Sequence, residues 1–132
     1  MKMQWKILLF GLILIFGYAC KKSDAGPDTR TVQEKLIAHK WRADSSRYQA
    51  VGQLSELTII QNPVYVVFND STYTWSTTGF SQRIFYEFQP PDMLFFDGPD
   101  PLIVKEVSDQ RLHTFKRSSY NGATIDEYFH AE

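Results

Sequence analysis

Three histidines, His39, His113 and His130, are the side chains of this sequence best suited to hold a metal ion or move a proton near neutral pH. They stand far apart and form no HExxH or other short ligand spacing, so no metal site is assigned. His113 and His130 fall on segments that read as hairpin neighbours, which brings their rings within reach of each other; the ordinary reading is two surface histidines. The carboxylates are no better placed. Asp126 and Glu127 are adjacent in a β-like segment and so point to opposite faces, which does not suit joint acid-base work. Asp97 and Asp100 sit in the rigid loop "DGPDP", which lacks the alternating oxygen ligands of an EF-hand and reads as a corner between strands. No GxSxG elbow, phosphate-cradling glycine loop or dinucleotide fingerprint is present. Catalytic residues, metal ligands and cofactors are therefore all left unassigned, and a non-enzymatic role is expected.

The aromatic residues carry more information. They make up 15% of the chain, and beyond the N-terminal segment they concentrate on the β-like runs. Trp41, Tyr73, Trp75, Tyr86, Phe88 and Phe96 are the candidate ligand-binding residues, because rings give flat contact area to an apolar or sugar-like molecule. The same rings could equally fill a small barrel and leave no cavity.

The only cysteine, Cys20, lies where the apolar run Ile7 to Phe16 gives way to Lys21 and Lys22. With Lys2 and Lys6 as a positive start, residues 1–19 read as a secretory signal, and the apolar run is shorter than the ~20 residues a membrane span requires. Gly17, Tyr18 and Ala19 before Cys20 resemble the lipobox of bacterial lipoproteins, which implies acylation of the Cys20 thiol and cleavage before it. Lys21 follows the cysteine where such lipoproteins carry Asp as an inner-membrane retention signal, which implies an outer-membrane destination, on either the periplasmic or the surface face. No other thiol remains to form a disulfide. The net charge of −1 becomes −3 once Lys2 and Lys6 are removed, and so acidic a domain gives no reason to expect nucleic-acid binding. Residues 20–30, small, polar and broken by Gly26 and Pro27, read as a tether from the lipidated cysteine.

Residues 31–132 form one domain. Thr31 and Glu34 have capping-box spacing ahead of a two-turn helix carrying Val32 and Leu36. From Trp41 onward helical periodicity gives way to short β-rich runs: "KWRADSSRY", "ELTII", "VYVVF" (64–68), "TYTWST" (72–77), "RIFYEF" (83–88), "MLFF" (93–96), "LIVKEV" (102–107), "RLHTFKR" (111–117) and "TIDEYFH" (124–130). Turn residues separate them at intervals that favour an antiparallel sandwich or barrel, and short connections favour up-and-down order. There is no room for the helices a parallel sheet needs.

The order of these features resembles the small lipocalin-like lipoproteins of Bacteroidetes-type bacteria. The resemblance rests on "LIAHKW" (36–41), the "VVFNDSTYTW" hairpin, "FYEF", and the closing "LHTFKRS" and "DEYFHAE" pair, and it spans nearly all of residues 31–132 at the level of barrel construction. It implies an all-β, antiparallel, up-and-down lipocalin-like barrel of about 8 strands with a short N-terminal helix. It also implies an arginine packed on the first-strand tryptophan, for which Arg117 is the candidate, while His39 replaces the glycine found two positions before that tryptophan. The expected function is a lipid-anchored envelope module that binds a small hydrophobic or glycan-like ligand. The alternative is a barrel with a filled core that contacts an envelope protein partner.

Overall fold

The computed structural model describes residues 26–132. The expected signal peptide (1–19), Cys20 and the start of the tether lie outside the described residues. Near the end of the tether Arg30 pairs with Asp28 at 3.0 Å and with Asp109 at 2.6 Å, an exposed network that leans this segment against the domain.

The single helix among the described residues, α1 (Val32–Ile37), begins as its sequence requires. The Glu34 N–H donates to Thr31 Oγ1 at 3.2 Å and the Thr31 N–H donates to Glu34 Oε2 at 2.6 Å, which satisfies two donors that the first turn would otherwise leave free. Six residues are too few for an independent helix, so α1 depends on packing. Leu36 is completely buried and its carbonyl accepts the Trp41 indole N–H at 2.9 Å.

Ten strands follow: β1 (Lys40–Gln49), β2 (Glu56–Ile59), β3 (Val64–Phe68), β4 (Thr72–Thr77), β5 (Phe80–Phe85), β6 (Glu87–Gln89), β7 (Met93–Phe95), β8 (Leu102–Val107), β9 (Arg111–Arg117) and β10 (Thr124–Ala131). Nine of them run in the order β5-β4-β3-β1-β10-β9-β8-β7-β6, every pairing is antiparallel, and the whole is a nearly closed barrel. The two ends of that path, β5 and β6, are consecutive in the chain and separated only by Tyr86. The run expected as one strand over 83–88 changes partner at this residue, from β4 to β7. The Tyr86 N–H donates to the Ser71 carbonyl at 2.9 Å, one step beyond the last β4–β5 pair, Thr72 with Phe85. That switch gives nine strands on the path where about eight were expected. β2 lies off the path, end to end with β3 along the same side of β1.

Alternation along each strand separates an inner from an outer face. Trp41, Ala43, Val66, Phe68, Leu94, Leu102, Val104, Leu112 and Phe129 point inward and form the core with Leu36 and Tyr86. Two bulges shift the register, at Asp44 in β1 and at Lys105 in β8. Helix α1 packs on β3 and β8. At this helix end, Gln33 donates to the Asp70 carbonyl in the β3–β4 turn, and His39 lies 3.1 Å from Asp109 in the β8–β9 turn. The far end carries the turn at Gly79 and the loops 97–101 and 118–123, the last two joined by the Ser119 N–H donating to Asp100 at 3.0 Å. "DGPDP" is thus a corner at the far end.

One expectation from the resemblance fails. Strand β9 runs from the helix end to the far end, so Arg117, its last residue, is exposed there beside Gln49, Val51 and Gly122, away from Trp41. The ring that packs edge-on against Trp41 is His39, with centroids 5.3 Å apart.

Candidate binding site in the barrel

The candidate aromatic residues divide between the two ends. Tyr73 packs edge-on against Phe68 (5.3 Å) and Phe96 (5.5 Å), and Tyr86 contacts the same two rings at 6.2 and 6.0 Å. The Tyr86 hydroxyl donates to the Asn69 carbonyl. Trp41 is fully buried, and Phe88 packs against the core opposite fully buried Leu94. Tyr73 and Tyr86 therefore share contacts with Phe68 and Phe96, and Trp41 and Phe88 belong to the same core, which is the filled-barrel arrangement. Trp75 is the exception: on the inner face of β4 it meets the edge of Phe80, a ring left 54% exposed.

Above the aromatic floor the inner face turns polar. Along β10, residues 125, 127 and 129 share the inward face, and across the ladder they oppose Lys116, Thr114 and Leu112 of β9. Glu127 is thus an inward carboxylate beside Thr114, a residue only 1% exposed. Burial raises the Glu127 pKa above the ordinary carboxylate value; the nearby Thr114 hydroxyl and the Lys116 charge oppose that shift without cancelling it. The hydroxyl lies close enough to favour the carboxylate yet makes no full hydrogen bond: Thr114 Oγ1 is a buried oxygen with no partner. Burial, and secondarily the Glu127 charge, also raises the Tyr73 phenol. An orphan hydroxyl and an unpaired inward carboxylate are costly in a closed core and ordinary in a site awaiting a polar group.

One layer further out, Tyr48, Ile125 and Lys116 form a row across β1, β10 and β9 on the same inner face. Together with Ser118, Asn121 and Ala123 they line a cavity of about 200 Å³ at the far end. Gly122 shapes the loop beside it: its φ of 69° is left-handed, and an added Cβ would come within 2.9 Å of Val51.

On the outer wall the two bulges bracket a second feature. The register row Ser45, Tyr128, His113, Glu106 crosses four strands immediately next to Asp44 and Lys105. His113 and Tyr128 stack at 4.4 Å, His113 Nε2 lies 2.7 Å from Asp126, and His130 Nδ1 lies 2.6 Å from Asp44. Because a carboxylate only accepts, each bonded ring nitrogen is the donor of its pair. Asp44, Glu106, Arg111, His113, Tyr128 and His130 border an outer groove of about 490 Å³. His113 and His130 do share one face, as expected, but diagonally, and each is held by its own aspartate. Among the described residues no group of three or more His, Cys, Asp or Glu side chains could hold a metal ion, and no serine is hydrogen-bonded to either ring.

The sequence singled out the aromatic floor but missed Glu127, Thr114 and Lys116. The signal was present in the alternation of "TIDEYFH": once Phe129 is inward, Glu127 must be inward too, and a charge on the buried face of a strand is unusual. Compared with known proteins, the chain matches no family model, no curated protein and no solved structure.

Proposed function

We propose that this chain is a lipid-anchored envelope protein whose barrel binds a small, mainly apolar or glycan-like ligand through its far end, without catalysis. The observation that carries this reading is a cavity at the far end bordered by Tyr48, Ile125 and Lys116, which form the register row next to Glu127 and Thr114. Apolar contact area from Tyr48 and Ile125 would supply affinity, and Lys116 and Asn121 would supply orientation. The sequence setting of Cys20 supports acylation and an outer-membrane address.

The binding half is tested by extracting small molecules that copurify with the chain, identifying them by mass spectrometry, and titrating the emptied protein with a fluorescent apolar probe. A copurifying molecule or saturable uptake is expected; neither would overturn the reading. For the anchor, Cys20→Ala should abolish lipid labelling and membrane association.

A second reading, a barrel that contacts an envelope protein, is favoured by one region. β2 is exposed along its whole length and presents Leu57 and Ile59 on the outer face, and Leu54 is exposed in the loop before it. Its outer edge pairs with no strand among the described residues. Capture of an envelope protein that is lost on Leu57→Lys or Ile59→Lys, with no small-molecule uptake, would favour this reading over the first.

A further inference from the structure

Independently of any lumen ligand, one edge of the sheet is fitted to take another strand. Among the described residues β5, β6 and β2 each have one edge that pairs with no strand. Such edges are normally protected by charge, proline or shortness. β5 carries Gln82 and Arg83, and β6 has three residues and stops before Pro90. β2 has no such device beyond Glu56, since Leu57, Thr58 and Ile59 are uncharged and free of proline. Exposed apolar surface concentrates at the same place. Of the eight large hydrophobic side chains left exposed among the described residues, five (Tyr48, Val51, Leu54, Leu57 and Ile59) lie on the β1–β2 hairpin. Leu57 and Ile59, 52% and 62% exposed, stand across the ladder from Arg47 and Ser45 on the outer wall. The backbone decides which polar groups are free. The Ile60 N–H donates to the Asp44 carbonyl at 2.9 Å, so Thr58, two residues back, also turns its N–H and C=O toward β1. Leu57 and Ile59 alternate with these residues and turn theirs toward the free edge.

We infer that β2 pairs antiparallel with β2 of a second copy of this chain, about a two-fold axis at Thr58. In that register Leu57 stands opposite the partner's Ile59, and Ile59 opposite the partner's Leu57. Both pairs use the outward-facing groups, so each closes two backbone hydrogen bonds. Their side chains form one apolar cluster on the outer wall, and Thr58 meets the partner's Thr58 on the other face. Glu56 falls opposite the partner's Ile60, so no like charges meet. An axis at Leu57 or at Ile59 also matches the hydrogen bonds, but it sets Ile59 against Ser55 or Leu57 against Gln61. Of the three, only the axis at Thr58 gives both apolar residues an apolar neighbour. The strand is thus its own complement, and a contact that uses the same patch on both copies closes as a dimer. One short strand pair buries less than a standard stable interface, so the dimer is weak and reversible.

Sedimentation velocity of the full chain over a concentration series should show a monomer–dimer equilibrium. Ile59→Pro removes an outward N–H while leaving the β1–β2 bonds, and Leu57→Lys removes an apolar contact. Each should weaken the dimer at least about tenfold. Mixing Leu57→Lys with Ile59→Glu should restore association, because those two positions face each other. Amide exchange followed by NMR reads the backbone contact directly. The Leu57 and Ile59 amides should gain protection as concentration rises, while Thr58, whose N–H already faces β1, should not change. Circular dichroism checks the fold of each variant, and Leu57→Lys, a surface change, still decides if the proline variant misfolds. No dimer at any concentration, or a dimer that both variants leave intact, would overturn the self-pairing. So would a chain that stays monomeric while either variant releases it from phosphatidylethanolamine–phosphatidylglycerol vesicles or from a captured envelope protein.

Discussion

The two ends of this barrel are made of the same alternating strands, yet their interiors differ in kind. On the helix side Trp41, Phe68, Tyr73, Tyr86 and Phe96 interlock under α1, and the polar groups there are matched: the Trp41 indole reaches the Leu36 carbonyl and the Tyr86 hydroxyl reaches Asn69. Toward the far end the inner face carries Glu127, Thr114, whose buried hydroxyl has no geometric hydrogen-bond partner, and Lys116, which borders a small cavity. The contrast separates stability from recognition. The helix end supplies the packed core that a disulfide-free domain of this size requires, which leaves the far end able to carry groups that weaken a core but can hold a ligand.

If that division holds, the largest effect comes from opening the helix end. Trp41→Ala should cost about 3–5 kcal/mol in denaturant unfolding, whereas Trp75→Ala, beside a ring already half in solvent, should cost less than half as much. Equal losses would erase the distinction. Next in size, Thr31→Ala removes the cap that starts α1 and should cost about 1 kcal/mol. It should leave far-end ligand uptake unchanged.

Glu127→Gln tests the far end with the opposite sign. Burial lifts the folded-state pKa of Glu127 above its unfolded value, so the stability its neutral form contributes is present below the unfolded pKa and is lost as pH rises through the folded one. The glutamine variant should accordingly be more stable than the parent at neutral pH by about 0.5–1 kcal/mol, with the two converging in acid. A variant less stable than the parent at neutral pH would mean that Glu127 already has a good partner in the fold. Smallest of all, His113→Asn removes a partly buried pair with Asp126 on the outer wall and should change stability by no more than about 1 kcal/mol. It should not alter lumen binding.

Much of this architecture was legible in the chain because its signals are local. "VYVVF", "TYTWST", "LIVKEV" and "RLHTFKR" became strands with the expected bounds, and the Thr31–Glu34 spacing produced the expected capping box. The closure at Tyr86 was not legible, since alternation continues unbroken through "RIFYEF" and only the partner strand changes. The site was half legible. Opposite facing of Asp126 and Glu127 follows from a period of two, and the structure adds which carboxylate faces which way. Asp126 turns out to His113 and Glu127 turns in to Thr114. That assignment depends on the register of β10 between β1 and β9, a long-range property that no window of sequence carries.

The division between the ends can be read from two indole N–H signals. Trp41 reports on the buried core beside α1 and Trp75 on the inner face beside half-exposed Phe80, and they can be followed together by ¹⁵N–¹H NMR while an apolar small-molecule probe is titrated into the full chain. The Trp75 signal should shift saturably while the Trp41 signal, bonded to the Leu36 carbonyl, stays in place. A bound probe that moves Trp41 as much as Trp75, or that moves neither, would contradict a ligand site confined to the far end of the lumen.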